Sequence, residues 1–134
     1  IPRGKADVIV SLEPAEAIRV LAGYGNPETM LLTNTHPIYP VGVIKGDLDY
    51  PPVAEMKAAV LQVVPAAHFI DATAQAVALG NPILVNIVML GALGRLQAVP
   101  FRRDDFQEAI ARRLPPGQLA INIQAFDAGY GMIQ

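Results

Sequence analysis

The fold is decided by the stretch Asp7-Val8-Ile9-Val10-Ser11-Leu12-Glu13-Pro14-Ala15-Glu16. Its opening residues, Asp7 to Leu12, form a short apolar run that predicts a buried β-strand. Pro14 suits the first position of a helix, and the residues that follow it place apolar side chains on one face as far as Leu21. A strand that leads directly into a helix is the repeating unit of an α/β fold.

The segments that follow continue this alternation. Their residue patterns predict strands at 29–33 and 68–71 and helices at 52–63 and 72–79. Ile38–Ile44 is extended in character, but Pro40 removes a backbone donor from it, so it predicts an edge strand or an irregular arm. Strands that alternate with helices predict a largely parallel, open sheet in a three-layer arrangement.

The second half of the chain has helical patterns throughout. They run from Pro82 to Leu96, from Asp104 to Leu114 and from Gln118 to Tyr130. The Pro82–Leu96 segment is apolar on every side, so we expect it to be buried against the sheet, other helices or another subunit. We therefore predict an α/β domain with a helical C-terminal half.

Composition limits the classes of partner. Of the 134 residues, 52% are hydrophobic and 16% are charged, against an average charged fraction of about 25%. The net charge is -2 and the pI is about 5.6, so the basic excess that attracts nucleic acid or an anionic membrane is missing. The apolar excess favours a protein partner, either another subunit or a second copy of this chain.

Cysteine and histidine content limits the chemistry. The sequence has no cysteine, which excludes disulfides, a cysteine nucleophile and a cysteine-ligated iron–sulfur cluster within these residues and suits the cytoplasm. Its histidines, His36 and His68, are too few to favour a zinc site. The longest apolar run, Ile83–Leu93, falls short of the roughly 20 residues that cross a bilayer. We assign no catalytic residue and no metal ligand from spacing.

Polar residues follow the first two predicted strands. Ser11 and Glu13 come after the first strand, and Thr33, Asn34 and Thr35 come at the end of the second. Because ligands of open α/β sheets bind at the carboxyl ends of strands, Glu13 and Asn34 are candidate site or interface residues. Structural explanations are also open: a carboxylate is favourable beside a helix N-terminus, and an asparagine in a turn can bond its own backbone.

Two further asparagines are candidates in the helical half. Asn81, between Gly80 and Pro82, has a structural explanation as the cap of the following helix. Asn86 lies inside the most apolar helix, and a buried amide without partners costs about 1–3 kcal/mol. We therefore expect Asn86 to bond to backbone, a ligand or another chain. In the last helix, the small Gly129 permits the close approach of another element.

Three stretches together resemble one family. They are Ala6-Asp7-Val8-Ile9-Val10-Ser11-Leu12-Glu13-Pro14-Ala15-Glu16-Ala17-Ile18-Arg19, Leu79-Gly80-Asn81-Pro82-Ile83-Leu84-Val85-Asn86-Ile87-Val88-Met89-Leu90-Gly91-Ala92-Leu93 and Asn122-Ile123-Gln124-Ala125-Phe126-Asp127-Ala128-Gly129-Tyr130. They look like the gamma-type subunit of 2-oxoacid:ferredoxin oxidoreductases, a domain shared by pyruvate, 2-ketoisovalerate, 2-oxoglutarate and indolepyruvate enzymes. The form Leu-Glu-Pro-x-Glu-Ala from Leu12 is similar to the indolepyruvate type.

The resemblance departs from the family at the front. Domains of the family begin with a strand and a glycine-rich loop, and nothing in residues 1–134 matches them. The resemblance therefore implies that the chain is a single domain corresponding to the C-terminal two-thirds of the gamma-type domain.

The resemblance also implies an activity. Enzymes of this family oxidatively decarboxylate a 2-oxoacid to acyl-CoA and pass the electrons to ferredoxin. Thiamine diphosphate, iron–sulfur clusters and coenzyme A serve the assembled enzyme, chiefly on its alpha- and beta-type subunits. The isolated chain is then expected to be inactive. The alternative that stays open is a stand-alone small-ligand or nucleotide-binding α/β protein that shares the fold alone.

Overall fold

The protein, described over residues 1–134 by a computed structural model, divides into two units, Ile1–Phe69 and Ile70–Gln134. The first unit carries the flanking helices and the sheet, except for Ile70 at the end of the last strand. In chain order they are β1 (Val8–Ser11), α1 (Pro14–Tyr24), β2 (Met30–Asn34), α2 (Val41–Ile44), α3 (Val53–Val63) and β3 (Ala67–Ile70). This order confirms the predicted alternation of strands and helices.

The sheet is open and parallel, with strand order β1-β2-β3. β1 and β2 run in register, with Val8 opposite Met30 and Ser11 opposite Thr33. β2 is the central strand, and its Leu31 and Leu32 are fully buried. The carboxyl ends of β1 and β2 therefore lie side by side.

Helix α1 forms where the sequence places its start and stop signals. Pro14 occupies the first turn, Glu13 caps the helix, and the chain leaves the helix at Gly25 in extended conformation. Its buried residues Ala17 and Leu21 belong to the same core cluster as Leu31. The amphipathic face therefore fixes α1 against the sheet.

The exposure of β1 differs from the expectation. We expected a strand buried on both faces, but the exposed fraction of Val10 is 43%. Ile9 and Ser11 are buried, so the strand has one covered and one open face. The physical reason is that the helix packed against β1, α1, covers one face of the strand.

The predicted edge strand at Ile38–Ile44 does not form. Instead the segment Pro37–Pro51, which we call the arm, contains the single helical turn α2 after Pro40. The backbone N–H groups of Asp47 and Leu48 both donate to the carbonyl of Gly42, and Gly46 has a positive φ of 81° that reverses the chain. The alternative prediction, an irregular arm, is the one that holds.

The second unit is helical. Its elements are α4 (Ala72–Ala78), a 3-10 turn (Pro82–Leu84), α5 (Val85–Leu96), α6 (Arg103–Arg113) and α7 (Pro116–Gly131). Helices α5 and α7 make the most extensive contact of the unit. A cluster of aromatic side chains centred on Phe126 packs beside this contact, with Phe106 stacked on it at a centroid distance of 4.5 Å. The predicted helical half is confirmed.

Part of the Pro82–Leu96 segment is not buried within this chain, and its burial against another subunit stays a prediction. The exposed fraction is 79% for Ile83 and 38% for Leu90, and Asn86 between them is exposed as well. The extensive contacts of α5 are with α4 and α7, so the side facing neither of them stays open. An apolar composition all round a helix therefore did not guarantee burial within this chain.

The helices of the protein fall short of the length and hydropathy needed to cross a bilayer.

Candidate functional site

Four polar side chains are buried at the carboxyl ends of β1 and β2. They are Ser11, Glu13, Thr33 and Asn34, with exposed fractions of 7%, 8%, 2% and 2%. We call this group the polar ledge. Burial of polar groups is costly unless they are hydrogen-bonded, so their partners decide what the ledge can do.

Glu13 is the only acid of the ledge and has two structural roles. Its Oε2 accepts a hydrogen bond from the backbone N–H of Glu16 at 2.8 Å, which caps helix α1. The Ser11 hydroxyl donates to the backbone carbonyl of Glu13 at 2.7 Å. The structural explanation offered by the sequence, a carboxylate at a helix N-terminus, is therefore correct.

Tyr50 completes the surroundings of Glu13. Its hydroxyl donates a hydrogen bond to Glu13 Oε1, although 37 positions separate the two residues. The ring of Tyr50 meets the edge of the Tyr39 ring at a centroid distance of 5.0 Å. Sequence reasoning missed Tyr50, because no spacing rule connects an arm residue with the end of β1. The one available signal was a tyrosine at the end of an apolar, proline-flanked arm.

This environment shifts the titration of Tyr50. Partial burial, followed by the hydrogen bond and the charge of Glu13, raises the pKa of the Tyr50 hydroxyl well above its usual range. The neutral hydroxyl is therefore the form that the folded chain favours.

Asn34 joins the ends of the two strands. Its Nδ2 donates to the carbonyl of Leu12 at 3.1 Å, across to the residue that follows β1. The Thr33 hydroxyl donates to the carbonyl of Asn34 at 3.0 Å. Asn34 thus connects two segments of the sheet edge, which goes beyond the turn role considered from the sequence.

A small cavity lies beside the ledge. Its volume is about 10 Å³, and its wall includes Thr33, Thr35, Val53 and Lys57. A cavity of this size admits about one water molecule, whereas pockets for small ligands usually measure about 300–1,000 Å³. This cavity therefore has no room for a substrate.

The other two candidate residues lie in the second unit. Asn81 caps the 3-10 turn, with its Oδ1 accepting from the N–H of Ile83 at 3.1 Å, as its structural explanation predicted. Asn86 is exposed rather than buried, so the expected cost of an unpaired amide does not apply. Both residues line an open groove of about 520 Å³ together with Asn122. The four candidates thus form two groups, one in each unit.

The side chains do not fit a metal centre. The chain places no three His, Cys, Asp or Glu side chains together as metal ligands, and it has no cysteine for an iron–sulfur cluster. The ledge supplies one carboxylate and neutral hydroxyl and amide groups.

The free energy of unfolding at alkaline pH should depend on the hydrogen bond between Tyr50 and Glu13. Because the folded-state pKa of Tyr50 is raised, the pair stabilises the fold fully below the ordinary tyrosine value of about 10 and loses that contribution as pH rises towards the raised value. The stability advantage of wild type over Tyr50→Phe should therefore be constant below pH about 10 and shrink above it. Urea unfolding at a series of pH values measures this advantage. Tyr39→Phe is the matched control and should keep the alkaline decline; parallel curves for wild type and Tyr50→Phe would contradict the assignment.

Comparison with known proteins identifies the family. The family model described as pyruvate ferredoxin/flavodoxin oxidoreductase matches residues 1–132. The chain belongs to this family. The resemblance inferred from the three sequence stretches is therefore confirmed.

Relatives in the pyruvate ferredoxin/flavodoxin oxidoreductase family include archaeal indolepyruvate oxidoreductase subunits. The chain is 37% identical over 130 residues to subunit IorB of Pyrococcus horikoshii, a match that covers 96% of this chain and 64% of the relative. It is 36% identical over 130 residues to subunit IorB of Thermococcus kodakarensis, again with 96% and 64% covered. The chain thus spans somewhat less than two thirds of the length of these relatives.

Solved structures of the family share the fold. The gamma subunit of keto/oxoacid ferredoxin oxidoreductase from Geobacter sulfurreducens matches with a TM-score of 0.63 and 19% identity, covering 94% of this chain and 63% of that one. Pyruvate oxidoreductase subunit PORC from Thermotoga maritima matches with a TM-score of 0.64 and 22% identity, covering 96% and 64%. At these identities, the likeness establishes the α/β fold.

Proposed function

We propose that the chain is the gamma-type component of a 2-oxoacid:ferredoxin oxidoreductase of the indolepyruvate type. The assembled enzyme would convert a 2-oxoacid and coenzyme A into acyl-CoA and carbon dioxide, with the electrons passing to ferredoxin. The observation that carries this proposal is the family match over residues 1–132, together with relatives that are named indolepyruvate oxidoreductase subunits.

The cofactors of the assembled enzyme would be held mainly by other subunits. An iron–sulfur cluster needs thiolate or equivalent ligands, which residues 1–134 lack. Thiamine diphosphate and coenzyme A carry phosphates, and the sequence has no glycine-rich phosphate loop between a strand and a helix. We therefore assign thiamine diphosphate, iron–sulfur clusters and coenzyme A to the assembled complex. We assign no step of the reaction to a residue of this chain.

The contribution of the chain would be structural contact with the alpha- and beta-type subunits in the cytoplasm. Its exposed large apolar side chains support this role, since such surface is common at interfaces. We further propose that residues 1–134 are part of one longer gamma-type domain, in which an added strand pairs with the outer edge of β1. The coverage of 64% of the relatives' length supports this reading.

The chain without its partner subunits is expected to have no oxidoreductase activity. The reason is that its side chains offer no cluster ligands and no phosphate loop. The assay combines the purified chain with indolepyruvate, thiamine diphosphate, coenzyme A and a dye acceptor. The control adds the alpha- and beta-type subunits, which should restore dye reduction. Dye reduction by the chain alone, above the level of a heat-denatured sample, would refute the assignment of the cofactors to other subunits.

The alternative of a stand-alone ligand-binding protein has weaker support. Ligands of open α/β sheets bind at the carboxyl ends of the strands, and the cavity at this point measures about 10 Å³. Calorimetric titration of the isolated chain with nucleotides separates the two hypotheses, since micromolar binding would favour the alternative.

Asn86 tests the role of the open side of α5 in assembly. Because Asn86 is exposed, Asn86→Leu should change the free energy of unfolding by about 0.5 kcal/mol or less. If this side of α5 contacts a partner subunit, the variant should weaken subunit association and turnover about tenfold, roughly the effect of losing one interfacial hydrogen bond. Gln124→Leu, which replaces an exposed amide on α7, is the matched control. Normal association and turnover of Asn86→Leu would remove this residue from the interface.

A further inference from the structure

The arm has few attachments to the rest of the first unit. Helix α2 makes no extensive contact with any other helix or strand. Five large apolar side chains of the arm are exposed by 52–73%: Ile38, Tyr39, Val41, Ile44 and Leu48. The hydrogen bonds of its backbone close within the arm, from Pro40 to Leu48. It is therefore a self-contained loop, of the kind that can move as a body.

The attachment of the arm at its C-terminal end is specific. The Tyr50 hydroxyl donates to Glu13 Oε1, and the Tyr50 ring packs against Tyr39. Glu13 itself stays fixed independently of the arm, because Oε2 is bound by the N–H of Glu16 at the start of α1. The Tyr50 hydroxyl, bonded to the Glu13 carboxylate and to the backbone of Ala15, thus joins a loosely packed loop to the start of helix α1.

The arm returns to the sheet at the point where an open α/β sheet binds its ligands. Thr35 lies just before the arm and Val53 just after it, and both line the cavity beside the ledge. The cavity is about 10 Å³, the size of one water molecule. Tyr50 occupies one oxygen of Glu13, the ledge's carboxylate. Access to Glu13 Oε1 therefore requires Tyr50, and with it this end of the arm, to move.

We propose that the arm is a lid over the carboxyl ends of β1 and β2, and that the Tyr50–Glu13 hydrogen bond is its latch. In the closed state, the Tyr50 hydroxyl holds Glu13 Oε1. In the open state, the arm swings out as a body between Thr35 and Val53. Opening frees the Glu13 carboxylate and exposes the neighbouring hydroxyl and amide groups. The lid hypothesis does not depend on the proposed oxidoreductase function, so each of the two can be refuted without the other.

The test measures how often Glu13 becomes accessible in the full chain. A carbodiimide with glycine ethyl ester labels accessible carboxyl groups, and tandem mass spectrometry separates Glu13 from the exposed Glu16. A hydrogen bond to a charged group contributes about 1.5–3 kcal/mol, so Tyr50→Phe should raise the labelling rate of Glu13 about 10- to 100-fold. The rate at Glu16 should not change, because Glu16 is outside the latch. Tyr39→Phe, which keeps the ring and leaves the latch intact, is the matched control and should label Glu13 like wild type.

Amide hydrogen exchange of Leu31 and Leu32 distinguishes lid opening from unfolding. These residues are fully buried in β2, so local opening should leave their protection unchanged in Tyr50→Phe. Faster labelling of Glu13 with protected Leu31 and Leu32 supports the lid. An unchanged labelling rate in Tyr50→Phe overturns it. A faster rate that appears together with lost protection of β2 also overturns it, because the whole unit would then be opening.

Discussion

Replacing Gly129 by alanine is expected to destabilise the second unit by about 3 kcal/mol or more, one of the largest effects of any single substitution proposed for this chain. A Cβ atom at Gly129 would lie 1.8 Å from the carbonyl oxygen of Val88 on α5. At Gly91, on the facing helix, a Cβ atom would lie 1.9 Å from the carbonyl oxygen of Phe126. The two helices therefore touch through their backbones at both glycines, and neither obstacle is a flexible side chain.

The expected size follows from the rigidity of the contact. To admit the methyl group of Gly129→Ala, α5 and α7 would have to separate by about 1 Å, which weakens dispersion contacts along their whole interface. Overpacking of a core usually costs about 1–3 kcal/mol, and backbone obstacles belong at or above the upper end of this range. Gly91→Ala should have a similar effect for the same reason.

Gly117 supplies the matched control on the same helix. A Cβ atom at Gly117 would meet no atom within 4 Å, so Gly117→Ala should be neutral or stabilising by up to about 1 kcal/mol. Urea unfolding followed by far-ultraviolet circular dichroism measures all three variants, since both helices contribute to the signal. Equal stability of Gly129→Ala and Gly117→Ala would show that the helices are farther apart than the structure places them.

The close approach at Gly129 illustrates what the sequence could predict. A small residue in a helix signals that another element comes near, and this expectation needed no knowledge of the partner. The sequence could not identify α5 as that partner, because helix pairing depends on contacts between distant segments. The β–α alternation and the caps at Glu13 and Asn81 were predictable for a related reason: each depends on residues a few positions apart.

Two differences between the sequence expectations and the structure have a common physical origin. Asn86 was expected to be buried because its helix is apolar on every side, but burial depends on which neighbours a helix has. Val10 was expected to be covered because its strand is continuous in apolar residues, but the helix packed against β1, α1, covers one face of it. Val10 is apolar and Asn86 lies among apolar residues, yet both side chains are exposed. An apolar composition favours the burial of a segment. Tertiary contacts decide whether that segment is buried within the chain.

The sequence could predict only part of the candidate site. Glu13 and Asn34 could be placed at one edge of the sheet, since the carboxyl ends of adjacent parallel strands meet there. The partner of Glu13 could not be found, because Tyr50 reaches it from an arm that has neither helical nor strand periodicity. Loop residues that contact the core from a distance leave no local pattern, and the interaction that latches the arm is of this kind.

Phe126→Ala is expected to destabilise the second unit by about 3–5 kcal/mol, the range measured for large buried aromatic residues. The side chain of Phe126 is fully buried on α7 and stacks on Phe106 of α6 at a centroid distance of 4.5 Å. The edge of Phe101 meets it at 5.9 Å, so its removal empties the centre of an aromatic cluster. The loss combines the transfer free energy of the ring with the cost of a cavity that rigid helices cannot fill.

The thermal midpoint provides the measurement. A loss of this size should lower the melting temperature by about 10 °C or more for a domain of this length. Phe126→Leu retains an apolar side chain at the position, so it should lose less than half as much stability as Phe126→Ala. Val77→Ala, on the exposed side of α4, is the surface control and should stay within about 0.5 kcal/mol of wild type. If Phe126→Ala and Val77→Ala melted together, the aromatic cluster would not be the core of the second unit.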